Sequence, residues 1–203
     1  MVWFVAAGLL LPALLQAQSP GGALVPDLAL PADSGVVATS GDPLAPALAG
    51  QVQCFDPDPA SHTCRSMASL HRNPDGTWAT AVTTMPDPAQ PLTLEIASTV
   101  AVRNGAVCGT VQRDQVMAGH LHYFGKPVPA DHALPVLAQI ADALGGAIGR
   151  EHCTVYVAAP GGLIARPAIG GAPVANAPEQ RLIWVRSDSG YHVAPRETPQ
   201  SGG

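Results

Sequence analysis

Four cysteines, Cys54, Cys64, Cys108 and Cys153, constrain the fold of this 203-residue chain more than any other feature. An even number of cysteines in an exported chain predicts two disulfides, and four cysteines allow three pairings. We favour Cys54–Cys64 and Cys108–Cys153, because the first pair closes a Pro-rich loop, 55–63, with few apolar side chains to order it. A zinc site is the alternative, but the chain has no C-x-x-C motif and no paired Cys/His knuckle.

The first 17 residues have the pattern of a secretory signal peptide. Residues 1–15 carry no charged side chain, and Ala17 supplies a small residue immediately before a cut. The apolar run is shorter than the roughly 20 residues of a membrane-spanning helix, and it suits the apolar region of a signal. A retained N-terminal anchor is the alternative. We expect a periplasmic or secreted protein with no membrane span after the signal is cleaved.

Composition divides the rest of the chain into three parts. Residues 18–50 are rich in Pro, Gly and Ala and contain no Lys, Arg or aromatic residue, which predicts a flexible linker. Residues 51–195 have the size of a single domain, and 196–203 are predicted to be a disordered tail. Charged residues make up only 12% of the chain and the formal net charge is -5, which argues against nucleic acid as a partner.

Strand signals dominate the predicted domain. Residues 64–72 alternate in polarity, 77–85 are rich in Thr, Val and Trp, and Asn-Pro-Asp-Gly at 73–76 joins them as a hairpin turn. Asn104-Gly105 predicts a second tight turn, of type I′. Further strands are predicted at 92–97, 99–103, 106–111, 153–158, 163–169, 181–186 and 191–194, the last two as a second hairpin.

Two helices complete the prediction. The apolar spacing of 134–144 predicts the main helix, with Pro135 in its first turn and Gly145-Gly146 at its end. Asp114 is expected to begin a short helix over about 114–119. Because strands outnumber helices and lie on both sides of the main helix, we predict an α+β domain with a mainly antiparallel sheet and two disulfides.

Two histidines in His120-Leu121-His122 are the best candidate metal ligands. Residues i and i+2 of an extended segment face the same side, so both imidazoles could bind one zinc or copper ion. Asp131, His132 or His152 would complete the ligand shell if the fold brings them near. The alternative is that both histidines lie on the surface without an ion.

Other catalytic patterns are absent from the sequence. It has no G-x-S-x-G or S-x-x-K motif and no phosphate-binding glycine loop, so we predict no catalytic residue and no cofactor. Asp56 and Asp58 fit a turn better than a calcium site. The aromatic side chains can line a ligand groove or fill a small core, and the ones concerned are Trp78, Tyr156, Trp184 and Tyr191.

The chain resembles a group of small exported proteins of Gram-negative bacteria that have four cysteines and no known function. The resemblance covers about 51–195 and implies export and paired cysteines, but it assigns no activity. The residues that carry it are Cys64-Arg-Ser-Met-Ala-Ser69, Gly105-Ala-Val-Cys-Gly109, Ile140-Ala-Asp-Ala143, Cys153-Thr-Val-Tyr156 and Asp188-Ser-Gly-Tyr-His-Val-Ala-Pro195.

Three functions are compatible with these patterns. The first is a non-enzymatic envelope or binding protein whose partner is a protein or a small molecule. The second is a metal-binding protein or metal-dependent hydrolase that uses His120 and His122. The third is a protease inhibitor that presents the Cys54–Cys64 loop.

Overall fold

The computed structural model describes residues 41–169, 172–174 and 179–195. The predicted signal peptide, residues 18–40 of the predicted linker and the tail 196–203 lie outside the described residues. The helices are α1 (Ala45–Leu48), α2 (Arg113–Met117) and α3 (Ala130–Leu144). The strands are β1 (Gln51–Phe55), β2 (Thr63–Cys64), β3 (Ser66–Arg72), β4 (Trp78–Thr84), β5 (Leu92–Arg103), β6 (Ala106–Thr110), β7 (His120–Tyr123), β8 (Lys126–Pro127), β9 (Glu151–Ala159), β10 (Gly162–Ile169), β11 (Ala172–Pro173), β12 (Gln180–Arg186) and β13 (His192–Val193).

Eight antiparallel strands form a closed barrel. They follow the order β4-β3-β1-β12-β10-β9-β6-β5, and β5 pairs with β4 to complete the ring. Strands β7 and β8 extend the sheet from β5, and β11 pairs with β10. The predicted α+β fold with one main helix is therefore wrong. Local patterns identified strands, but they carried no information on long-range pairings such as that of β1 with β12, without which the ring is incomplete.

Strand β5 is long enough to make this closure. Residues Leu94–Val100 pair with β4, Val100–Arg103 pair with β6, and Leu92–Glu95 pair with β7. The sequence predicted two strands, 92–97 and 99–103, but the structure has one continuous strand of 12 residues. One strand can therefore join the barrel to the hairpin β7–β8.

Turn chemistry predicted the local hairpins correctly in two places. Strands β3 and β4 pair across the turn 73–76, where the Asn73 N–H donates to the Thr77 carbonyl oxygen at 2.8 Å. Asn104 and Gly105 have φ values of 50° and 76°, as a type I′ turn requires. The predicted second hairpin is wrong, because β12 pairs with β1 and β10 whereas β13 pairs in parallel with β2.

The helices differ from the prediction at their beginnings. Helix α3 begins at Ala130, so Pro135 lies inside it and not in its first turn. Helix α2 begins at Arg113 and ends at Met117, close to the predicted short helix over about 114–119. Helix α1 lies within the predicted linker 18–50. Its neighbour Leu44 is fully buried, so the folded part begins before residue 51.

The apolar side chains form two main clusters. One fills part of the barrel and joins Leu44 to Leu70, Trp78 and Leu182. The other packs α2 and α3 against one end of β5 and against β7. Its buried members are Leu94, Ile96, Val116, Leu121, Ala133, Leu137, Ile140, Ala141 and Leu144. The helices are therefore packed onto the barrel, which forms the centre of the fold.

Both disulfides have the pairing that the sequence analysis favours. Cys54–Cys64 joins β1 to β2, and Cys108–Cys153 joins directly opposed residues of β6 and β9. Neighbouring residues Gln53 and Phe55 face the barrel interior, so the alternation of a strand places Cys54 on the outer face.

Among the described residues, no helix has both the length and the apolar character needed to cross a membrane.

We expect the packing of α3 to depend on one face of that helix. Leu137 is 2% exposed and Leu134, one turn away, is 51% exposed. Leu137→Ala should lower the free energy of unfolding by about 2–5 kcal/mol, because it leaves a cavity in the α3 cluster. Leu134→Ala should change it by less than about 0.5 kcal/mol. Urea unfolding of both variants measures this, and equal losses would contradict the described packing.

Candidate functional site

A cavity of about 200 Å³ lies inside the barrel. Several of its lining residues stand at the ends of their strands. Phe55, Thr84 and Thr110 are the last residues of β1, β4 and β6, whereas Ser66 and Gln180 are the first residues of β3 and β12. Because neighbouring strands are antiparallel, these ends meet at one rim of the barrel. The cavity therefore lies toward that rim.

The opposite rim of the barrel is filled by side chains. Trp78 is the first residue of β4, where it is 1% exposed and belongs to the same cluster as Leu44 and Ala47. Arg72, the last residue of β3, places its guanidinium 5.9 Å from the centre of the Trp78 ring. The short helix α1 thus covers this end, and the space inside the barrel lies on the far side of these residues.

The wall of the cavity is mostly apolar and carries no formal charge. The side chains facing inward alternate along each strand with those facing outward. Among the described residues, no Asp, Glu, Lys or Arg lines it. Its apolar lining consists mainly of Phe55, Ala68, Leu70, Val82, Ile96, Val100, Val107 and Val111, and its hydroxyl groups belong to Ser66, Thr80, Thr84, Ser98, Thr110, Thr154 and Tyr156.

One hydrogen bond crosses the barrel interior. The Gln53 side-chain amide donates from Nε2 to the Tyr156 hydroxyl oxygen at 2.9 Å, and both residues are buried. Their strands, β1 and β9, are separated by β12 and β10 in the sheet. Burial raises the pKa of Tyr156 to about 12, although the hydrogen bond from Gln53 partly opposes that shift. Tyr156 is uncharged at neutral pH, as it would be at its ordinary pKa of 10.0, and its hydroxyl is hydrogen-bonded to the Gln53 amide.

His152 is another polar residue of the cavity wall, and its surroundings differ from those of the Gln53–Tyr156 pair. It lines the cavity from the beginning of β9, and its Nε2 lies 2.8 Å from the Ala147 carbonyl oxygen. A carbonyl oxygen only accepts hydrogen bonds, so in the neutral ring Nε2 carries the proton and Nδ1 carries a lone pair. Nδ1 is buried and has no hydrogen-bond partner within the described part of the chain. His152 Nδ1 is therefore a buried, unpaired acceptor that has almost no surface open to the cavity.

The predicted metal ligands lie elsewhere, outside the barrel. His120 and His122 are on β7 and line a groove of about 490 Å³ between that strand and α3. His132 is exposed on α3, and its Nε2 lies 3.7 Å from Asp131 Oδ2. In the described ranges, no third His, Cys, Asp or Glu brings its ligand atom within 4.8 Å of both histidines. Glu95 lines the same groove, but its carboxylate does not form a three-ligand cluster with the two histidines.

Three groups near the second disulfide do approach one another. The sulfur atoms of Cys108 and Cys153 and a carboxylate oxygen of Glu151 lie within 4.8 Å of one another. Both cysteines are in a disulfide, so neither offers the thiolate that a metal ion requires. The proximity of Glu151 therefore reflects the strand register and does not make a metal site.

The four aromatic residues that could line a ligand groove lie in different parts of the structure. Tyr156 lines the cavity, and Trp78 and Trp184 belong to the apolar cluster that fills the rest of the barrel. Tyr191 lies outside and stacks on His62, with ring centres 5.1 Å apart. Of these four residues, only Tyr156 lines the barrel cavity. Trp78 and Trp184 pack in the apolar cluster of the barrel, and Tyr191 lies outside it.

No sequence pattern pointed to Gln53, and His152 was predicted as a possible additional metal ligand. A single glutamine in a short strand carries no signal for a buried hydrogen bond, because the partner is 103 residues away. Inward-facing small and hydroxyl side chains were visible in the alternation of Ser66, Ala68 and Leu70. That pattern predicts one face of a strand, but it does not show that the face borders a cavity.

Comparisons with known proteins identify no relative. No protein-family model matches the chain, and no curated protein or solved structure matches it. The function is therefore inferred from the geometry of the cavity.

The raised pKa of Tyr156 predicts a pH dependence of stability. Between about pH 10 and 12, Tyr156 retains its proton in the folded state and has lost it in the unfolded state, so stability falls as the pH rises. At pH 11, the wild type should lose about 1 kcal/mol relative to Tyr156→Phe, compared with pH 8. Urea unfolding at both pH values measures this difference, and parallel losses in the two proteins would contradict it.

Proposed function

We propose that this protein is an exported, disulfide-bonded barrel that binds a small, uncharged and mostly apolar molecule. The observation that carries the proposal is the cavity of about 200 Å³ inside the barrel. Small-molecule sites are typically concave and mostly apolar, with a few polar groups that orient the ligand. This cavity has those properties, and an eight-stranded barrel is wide enough to hold one small ligand.

The volume of the cavity sets the size of the ligand. Apolar cavities of about 150 Å³ in proteins bind a molecule as large as benzene. A cavity of about 200 Å³ should hold a single ring with a short substituent, or an aliphatic chain of similar volume. Longer lipids would extend beyond the described walls.

The polarity of the cavity sets the charge of the ligand. Transfer of an ionised group from water into an apolar site is costly unless an opposite charge pairs with it. No charged side chain of the described residues lines the cavity, and the Tyr156 hydroxyl is neutral at pH 7 even at its ordinary pKa of 10.0, which burial raises to about 12. A neutral ligand avoids that cost, so we infer that the ligand is uncharged.

The closed ring of strands and the two disulfides around the cavity indicate that the site is formed before a ligand binds. The ring of strands has no open edge between β4 and β5, and two disulfides join strands on the outer face. A site that is rigid before binding loses less conformational entropy when the ligand arrives. The two disulfides therefore favour a binding role without themselves contacting the ligand.

Export is the second part of the proposal. Structural disulfides persist in oxidising compartments such as the periplasm and the extracellular space, and all four cysteines are paired. The uncharged apolar pattern of residues 1–15 supports a secretory signal that is cleaved after Ala17. The resemblance to small exported proteins of Gram-negative bacteria points to the same compartment. We infer a periplasmic or secreted protein.

The other two functions have less support. A metal centre at His120 and His122 has no third ligand atom within range among the described residues, although Glu95 lines the same groove. The loop proposed to inhibit a protease is closed on itself, since Asp58 and Thr63 within it exchange backbone hydrogen bonds of 2.8 and 3.1 Å. The barrel cavity supports neither function, and both remain predictions.

A cavity-filling substitution tests the proposal. Ser98 lines the cavity on β5, and its neighbour Ala97 is exposed on the outer face of the same strand. The wild type should bind one molecule of 4-ethyltoluene, an uncharged apolar probe, by isothermal titration calorimetry. Ser98→Phe should weaken this binding by at least about tenfold, because the ring takes up space inside the cavity.

Ala97→Phe is the matched control, since it adds the same ring on the other face of the strand. It should leave the affinity for 4-ethyltoluene unchanged. Absence of binding to the folded wild type would refute the proposed function, and so would equal loss of affinity in the two variants. Circular dichroism of each variant verifies that the barrel has formed.

A further inference from the structure

We propose a zinc-binding site in the groove beside β7, formed by His120 and His122 of that strand and by Glu95 of β5. The site lies outside the barrel, and it does not rest on the proposed ligand cavity. All three side chains line the same groove of about 490 Å³. Two observations carry the proposal. The strand register places the three residues on one face of the sheet, and none of their side chains has another partner among the described residues.

The pairing of β5 with β7 brings the three residues together. Glu95 lies directly opposite His120. His122 is two residues further along β7, so the alternation of a strand turns its side chain to the same face as that of His120. Two imidazoles and one carboxylate therefore occupy adjacent positions of one sheet face. The sequence pattern showed the two histidines, but the third position depends on the register of two strands.

The three groups are close enough to share an ion once their side chains rotate. Directly opposed residues of an antiparallel pair have Cβ atoms about 4.5–5.5 Å apart, and diagonal neighbours about 7–8 Å, which long side chains can span. As the side chains stand, the three ligand atoms do not all lie within 4.8 Å of one another. A zinc ion needs each of them at about 2.0–2.2 Å. Binding therefore requires new side-chain rotamers on an unchanged backbone.

Glu95 differs from the other carboxylates of the described residues, because no hydrogen bond or ion pair engages it there. Each of the others has a hydrogen-bonding or basic partner, as Glu179 has in Arg166. Glu95 is also partly buried, and Leu121 and Leu137 line the same groove. An ionised carboxylate in apolar surroundings is costly unless an opposite charge pairs with it, so this position favours a cation.

The two histidines are available as well. Neither His120 nor His122 makes a side-chain hydrogen bond or ion pair within the described part of the chain. The neighbouring strands place no charge beside the three groups, since Glu95 is paired with Thr83 of β4 and His122 with Pro127 of β8. No basic side chain at these paired positions competes with an ion for the carboxylate.

The ligand set identifies the class of metal. Imidazole nitrogens suit zinc and copper, whereas magnesium and calcium prefer oxygen ligands. Two histidines and one glutamate, with water in the fourth position, form a ligand set that zinc accepts in proteins. The site should therefore bind Zn²⁺ through three protein ligands and one water molecule, and it should not bind Mg²⁺.

Metal titration of the protein without a His tag tests the proposal. By isothermal titration calorimetry, the wild type should bind one Zn²⁺ per chain, and Mg²⁺ at the same concentrations should not bind. Glu95→Gln should weaken Zn²⁺ binding by at least about tenfold, because the amide carries no negative charge. Glu179→Gln makes the same replacement at an exposed carboxylate outside the groove, so it should leave the affinity for Zn²⁺ unchanged.

Nitrogen NMR of the wild type locates the ion without a variant. The imidazole resonances of His120 and His122 should shift with Zn²⁺, whereas those of His71, which is exposed on β3, should not. Absence of saturable Zn²⁺ binding, shifts confined to other histidines, or equal affinity in Glu95→Gln and Glu179→Gln would each overturn the proposal. Glu95→Gln should bind 4-ethyltoluene as the wild type does, so failure of the zinc site and failure of the proposed function are distinguishable.

Discussion

The hydrogen bonds between β4 and β5 are the constraint on which the rest of the structure depends. Seven residue pairs, from Trp78↔Val100 to Thr84↔Leu94, join the first and last strands of what would otherwise be an open sheet. Closure removes the free edges on which extended sheets associate. It also gives every barrel strand an inner and an outer face, because side chains alternate. The interior cavity exists only because this ring is complete.

Closure of the barrel also explains why the fold tolerates so few charged residues and so many small side chains. Inside the barrel, Ala, Val, Ser and Thr line a space that larger residues would fill, and Trp78 with α1 covers one rim. On the outer face, the two disulfides join neighbouring strands. The cluster of α2 and α3 packs against one end of β5, and its member Ile96 also lines the cavity. The contacts that stabilise this end of the barrel therefore reach the wall that would contact a ligand.

Short-range chemistry made part of this fold predictable. The turn residues at 73–76 and Asn104-Gly105 specified local hairpins, and the spacing of cysteines suggested the disulfide pairing that the structure contains. The pairing of β1 with β12 had no local signal, because the two strands lie at opposite ends of the domain. Without that pairing the sheet could not be recognised as closed. The same limit applies to the site, since Gln53 and Tyr156 meet only after closure.

Methyl NMR with 4-ethyltoluene tests the central claim, that the barrel interior is a ligand site, most directly. The account predicts that ligand-induced shifts concentrate on inward-facing methyl groups such as those of Val82, Ile96 and Val107. The methyl groups of Val52 and Ile183, which pack beside the outer Cys54–Cys64 disulfide, should change little. Shifts confined to the outer cluster or to the groove beside α3 would contradict the account.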